Sequence, residues 1–235
     1  MGSSAATPTA GTNNGQSPMA PIKTIDRTDT AFAAAVPAET NSEFWPELDT
    51  WIRLNDATRL LLITNGTRDH DSGDRVNSEG QAYVDYRYSN RISYRAGYVY
   101  SDTPPATPDK GHSVERRWVA DFSYNWKLNE STKLTNRVRT DLRDIAGDSS
   151  YRIRDRLKLE HDTKLGRQTV TPYGNLEAYY DSRYDTVSRY RLEIGATTPL
   201  SKDIEIDLYV GRQRDTQPSD KYTNGVGITL VLYLR

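Results

Sequence analysis

Apolar and polar residues alternate along most of this chain with a period of two. Between residues 151 and 161, Tyr151, Ile153, Asp155, Leu157, Leu159 and His161 share one parity, and Arg152, Arg154, Arg156, Lys158 and Glu160 the other. That is the period of a β-strand, whose side chains point alternately to its two faces. A helix would scatter these charges around its circumference, whereas a strand sets four cations in one file, successive members about 7 Å apart. Such a file needs water, an anion or facing carboxylates. The alternation resumes with Leu176, Ala178 and Tyr180 against Tyr173, Asn175, Glu177 and Tyr179, so the residues 164–167 (KLGR) join two strands into a long hairpin.

The same pattern recurs from Phe44 onward. An opening pair turns at Asn55 and Asp56, and a polar loop follows over about 69–80. Ala82, Val84, Tyr86 and Tyr88 then fold onto Ile92, Tyr94, Ala96, Tyr98 and Tyr100 about Ser89 and Asn90. A proline-bearing loop over 102–114 leads to Trp118, Ala120, Phe122, Tyr124 and Trp126, and then to Val138 and Leu142. Beyond the hairpin come Tyr190, Leu192, Ile194 and Ala196, then Ile204, Ile206, Leu208 and Val210, and last Val226, Ile228, Leu230, Leu232 and Leu234. About eleven strands of roughly 11 to 13 residues are legible, slightly longer than the ~9 to 11 a tilted strand needs to cross a bilayer core. Single-chain bacterial barrels close with an even strand number, so 12 is expected, with one strand recruited from the N-terminal region, and 10 is the alternative.

Composition sharpens this picture. The chain has 235 residues, of which 35% are hydrophobic, and a mean hydropathy of −0.79, so a buried core is short of material. A closed barrel with lipid outside and water inside needs only every second residue apolar. The expected fold is therefore all-β, a closed antiparallel up-and-down transmembrane β-barrel over 41–235. Residues 1–40, rich in Ala, Thr, Pro, Gly and Ser, read as a disordered tail, with 30–36 (TAFAAAV) as a candidate short strand. This tail lacks a basic segment followed by an apolar one, so an intact signal peptide is not expected there.

Formal net charge is −1 with acids and bases interleaved, which argues against nucleic acid as a partner. The absence of cysteine excludes disulfides and thiolate metal sites. His70, His112 and His161 lie in loops or at a strand end with no nucleophile elbow nearby, and Asp69, Asp71 and Asp74 lack the glutamate of a calcium-binding loop. No enzyme activity, cofactor or metal is expected.

The runs FWPELDTWIRLND, NRVRTDLR, SYRIRDRLKLE, TPYGNLEAYYD, SRYRLEIG, LYVGRQRD and NGVGITLVLYL together resemble an uncharacterised family of bacterial outer-membrane β-barrels, catalogued only as a domain of unknown function. A looser similarity is to the small oligogalacturonate-specific porins, with their Arg-rich inward strands. The resemblance implies a bacterial outer-membrane location with lipid as partner, and the second similarity implies sugar acids among the candidate solutes.

The candidate site is the interior. Arg137, Arg139 and Arg143 on one strand and Arg152, Arg154, Arg156 and Lys158 on the next form a basic wall, in files about 4.8 Å apart. Glu47 and Asp49, with Glu205 and Asp207, form an acidic side expected opposite. Two readings follow. In one, the lumen is a small channel for polar or anionic solutes, since arginine suits carboxylate and phosphate. In the other, the arginines pair with Asp141, Glu160, Glu177 and Glu193 and close a structural barrel, because unpaired like charges at this density are costly. A soluble ligand-binding barrel is a third alternative, disfavoured by so much outward Tyr, Leu and Ile. The tyrosines and tryptophans at strand ends, Tyr98, Tyr100, Tyr124, Trp126 and Tyr180 among them, read as interfacial girdles. Tyr173, Tyr179 and Tyr209 are candidates for stacking on carbohydrate in the lumen.

Overall fold

In the computed structural model, which describes residues 39–105 and 111–234, each stretch of alternating sequence is a strand. The elements are β1 (Glu39–Arg53), β2 (Thr58–Asp69), β3 (Arg75–Arg87), β4 (Ile92–Thr103), β5 (Ser113–Lys127), β6 (Thr132–Ile145), β7 (Asp148–His161), β8 (Thr163–Leu165), β9 (Gln168–Asp181), β10 (Thr186–Pro199), β11 (Ile204–Asp215) and β12 (Lys221–Leu234). All are antiparallel to their neighbours in the ring except at one seam, where β12 pairs with β1 in parallel, from Glu39 with Lys221 to Ile52 with Leu234. The pairing of β9 with both β7 and β10 completes a closed barrel.

The described residues form twelve strands, the expected number, but only eleven of them make the ring, and β8 lies outside it as a three-residue ribbon on β9. The reason is directional. Strands joined by hairpins reverse at each turn, so with an odd number the first and last run the same way and can close only in parallel. Fourteen registered residue pairs at the seam satisfy both edges. The tail over 1–38, with its candidate strand, lies outside the described residues, and β1 already begins at Glu39. The expected polar loop over 69–80 shrinks to 70–74, because β3 starts at Arg75 and pairs back onto β2 across a bulge at Thr67 and Arg68.

Turn chemistry explains the lower rim. In three of its turns an oxygen of Asn55, Ser89 or Asn129 accepts backbone N–H groups two and three residues on. Such side chains close tight reversals by replacing a backbone acceptor. The upper rim, where β1 begins, carries the connections 70–74, 104–112, 146–147, 182–185 and 216–220. At 146–147 the two-residue turn has positive φ at Ala146 and Gly147, the geometry that matches the twist of a hairpin.

The two surfaces of the barrel differ as the alternation requires. Outward side chains such as Val84, Tyr94, Trp118, Leu142, Leu157, Leu192, Ile194, Leu208 and Val226 stay exposed. Inside, Leu61, Tyr83, Val99 and Val119 form a small apolar cluster flanked by Trp51 and Ile63. Near the seam Trp45 and Tyr209 lie 6.2 Å apart, over inward positions left bare by glycine. A Cβ at Gly225 would stand 2.2 Å from the Trp45 ring, and one at Gly227 2.0 Å from the Tyr209 ring. Those glycines let two large rings fill the interior.

Candidate functional site

The basic wall is where the alternation puts it. On β6 and β7 Arg137 faces Arg156, Arg139 faces Arg154, and Asp141 faces Arg152, all turned inward. Two arginine pairs therefore sit directly across from each other, an arrangement that holds only with interleaved carboxylates. Asp141, fully buried, takes Arg152 at 2.9 Å and Arg154 at 3.2 Å. Asp121 on β5 grips Arg139 with both oxygens, at 2.6 and 2.8 Å, a charge-assisted fork. Arg137 donates to Glu177 at 2.9 Å, Arg143 bridges Glu115 and Asp181, and Lys158 meets Glu160 at 3.1 Å. Among the described residues, Arg156 alone of the wall has no carboxylate within 4 Å, and its Nε is buried without a hydrogen-bond partner.

Of the four expected partners, Asp141, Glu160 and Glu177 serve the wall, whereas Glu193 lies 3.6 Å from Arg191 on its own strand. Asp121, Glu115 and Asp181 were not among those expected. They come from the strands on either side, β5 and β9, and follow from register, which the alternation of single strands does not contain.

Glu47, Asp49, Glu205 and Asp207 also point inward, and among the described residues none has a cation within 4 Å. Glu47 accepts from Asn65 at 3.1 Å, Glu205 from the Tyr233 hydroxyl at 3.0 Å and Asp207 from the Tyr173 hydroxyl at 2.9 Å. One oxygen of Asp49 is buried without a partner. In the order of strands, β1 lies across the barrel from β6 and β7, so Glu47 and Asp49 do face the wall. Strand β11 is separated from β7 only by β9 and β10, so Glu205 and Asp207 sit about a quarter of the way round rather than opposite. The expected opposition of charge holds for one of the two acidic pairs.

Aromatic rings complete the filling. Tyr179 lies among three guanidiniums, those of Arg152, Arg154 and Arg189, at 5.5 to 5.8 Å from its centroid, and its hydroxyl donates to Glu177 at 2.6 Å. Lys158 stands 4.0 Å from the Tyr173 centroid, Arg191 5.1 Å from that of Trp45 and Arg59 4.2 Å from that of Trp51. Cations over ring faces satisfy part of what water would supply. The three tyrosines considered for carbohydrate thus spend their faces or hydroxyls on the protein itself.

The histidines and the acidic loop lie on the rims of the barrel. His112 pairs with Asp102 at 2.8 Å and His161 with the Thr132 hydroxyl at 2.9 Å, on exposed rims. One Asp69 oxygen accepts the backbone N–H groups of Asp71 and Ser72, so the loop closes on its own carboxylate.

Fold and site together define a closed, antiparallel-rich β-barrel with a charged interior, in which six of the seven cations of the basic wall are ion-paired. The chain belongs to the family described as protein of unknown function DUF2490, whose model matches residues 42–224. No curated protein matches the chain.

Proposed function

We propose that this chain is a β-barrel of the bacterial outer membrane, held in lipid by its outward face and closed inside by its own paired charges. The observation that carries this reading is the contrast between its surfaces. Apolar side chains stay bare on strand after strand outside, Trp118 at 66% and Ile194 at 60% exposure, while guanidiniums and carboxylates are buried within. A soluble monomer leaves at most a few hundred Å² of contiguous apolar surface, roughly 300 to 600 Å². A bilayer accepts such a wall, and closure leaves no strand edge in hydrocarbon. Trp118 and Trp126 on β5 stand roughly 27 Å apart along the strand, about 20 Å of height at the usual strand tilt, within the apolar band between aromatic girdles.

The interior supports closure over free diffusion. Leu61, Tyr83 and Val99 at 1% exposure and Asp141 at 0% occupy its middle, and six of the seven wall cations are held by carboxylates. Such a barrel serves as an envelope component rather than a general pore. A second reading, a narrow channel for small anionic or sugar-acid solutes, rests on Arg156, the wall cation left unpaired.

Membrane fractionation followed by planar-bilayer recording tests both parts. The expected result is recovery in the outer membrane and no steady conductance. Replacing Arg154 and Arg156 together by Glu then lowers the unfolding temperature without creating ion preference. A stable wild-type conductance whose reversal potential shifts toward cations in that double variant establishes the channel instead, and recovery in the soluble fraction overturns the membrane assignment.

A further inference from the structure

The upper end of the interior opens into a polar cup of about 290 Å³, enclosed by β3 to β7, by β9, β10 and β11, and by the connections after β9 and after β11. Liquid water takes about 30 Å³ per molecule, so the cup has room for about ten waters. That is the lower end of the range for small-molecule sites, fitting a single-ring ligand.

Its walls are unlike the rest of the barrel. Arg117, Arg143, Arg152, Arg183 and Arg189 converge on it with Glu79, Glu115, Asp181 and Asp215, and Arg152 is held in addition by Asp141 from outside the cup. The carboxylates are heavily used: Asp181 takes Arg143 at 2.6 Å, Arg183 at 2.8 Å and the Arg183 backbone N–H at 3.0 Å, and Glu115 accepts from Arg143 at 2.5 Å. The guanidiniums are used unevenly: Arg143, Arg152 and Arg183 each spend two nitrogens on carboxylates. Arg117, only 6% exposed, gives one nitrogen to Glu79 at 2.6 Å and has a second 3.8 Å from Glu115, while its Nε has no hydrogen-bond partner among the described residues. Arg189 is held to Asp215 through Nε, so the rest of its planar fork is not tied to that carboxylate. Arg183 sits at the mouth, its side chain 38% exposed beside the Tyr184 ring. Hydrogen bonding to Asp181 raises its pKa further, so this cation persists at any accessible pH.

The N–H donors of Arg117 and Arg189 not spent on carboxylates favour an anion, because each donor left without an acceptor is costly and a charged acceptor repays it most. Lone pairs on the acidic residues in the same walls accept hydroxyl donors. We propose that this cup binds a small hydroxylated organic anion, recognised by the guanidiniums through its carboxylate and by Glu79, Glu115 and Asp215 through its hydroxyls. The site needs neither a conducting lumen nor a lipid exterior, so it stands apart from the reading of the barrel as a whole.

The test is calorimetric titration of the full-length protein in detergent micelles with three probes: D-glucuronate, which carries charge and hydroxyls, D-glucose, which keeps the hydroxyls, and acetate, which keeps the charge. Glucuronate is expected to saturate a single site, with a dissociation constant at least about tenfold below those of both others. Arg183→Gln, at the exposed mouth, is expected to weaken glucuronate about tenfold with the strand signal in circular dichroism unchanged. Arg117→Gln is expected to do more, and Arg183→Gln carries the test if Arg117→Gln does not fold. Absence of saturable glucuronate binding to folded protein overturns the proposal, as does equal affinity for glucose or acetate, or undiminished affinity in folded Arg183→Gln.

Discussion

Asp141 and Arg156 show how differently two charges in the same wall are held. Asp141 is fully buried between Arg152 and Arg154, so removing it leaves two guanidiniums uncompensated. Asp141→Ala is therefore expected to cost about 3 to 5 kcal/mol, the usual penalty for breaking a buried ion pair from one side. Arg156 has no carboxylate partner to strand, and Arg156→Gln is expected to cost less than about 1 kcal/mol. Equilibrium urea unfolding of both variants in lipid vesicles gives the comparison, and the order of the two costs is the point at issue.

Strands act as units because parity commits a whole strand at once. On β7, Leu157 lies outward between Asn136 and Leu176, and Leu157→Arg is expected to cost about 2 kcal/mol or more if lipid covers this face near its middle, against roughly nothing in water. Unfolding measured from vesicles distinguishes the two cases. The seam supplies a second element-scale prediction. Leu48 on β1 and Leu230 on β12 are register partners across the parallel pair. The chain has no cysteine of its own, so the double variant Leu48→Cys with Leu230→Cys should cross-link on oxidation, neighbouring strands being within the Cα separation a disulfide spans. A gel shift under non-reducing conditions reads it, and failure of the pair to cross-link speaks against closure by these two strands.

At the scale of the whole molecule, an odd ring has a consequence that an even one lacks. Strand β1 starts at the upper rim and β12 finishes at the lower, so the two ends of the ring lie on opposite sides of the barrel. In a membrane, an epitope tag inserted after Ser72 in the upper connection 70–74 and one inserted after Asn129 in the lower turn are expected on opposite sides. Antibody binding to intact cells should reach one of them only. A twelve-stranded barrel would instead return both ends to one rim.

The strands themselves were legible in the chain because alternation is a local property: the parity of Arg154 against Ile153, or of Gly225 against Val226, is settled by neighbours one residue apart. So were the turns at Asn55 and Ser89, whose chemistry acts within three residues. The inward direction of the basic wall and of Glu47, Asp49, Glu205 and Asp207 followed from the same parity. Strand number in the closed ring did not, because the choice between an antiparallel and a parallel seam depends on how β1 meets β12, residues far apart in sequence. Nor did the pairing of Arg139 with Asp121, Arg143 with Asp181 or Arg117 with Glu79, which register alone brings together across neighbouring or more distant strands. The extent of β3 was hidden too, since polar Asn77 and Glu79 read as loop until Ser101 and Arg117 give them partners. Short-range alternation determined which face each residue takes. Only the closed barrel decided which charges meet, because electrostatic partners are chosen by distance in space and not by position along the chain.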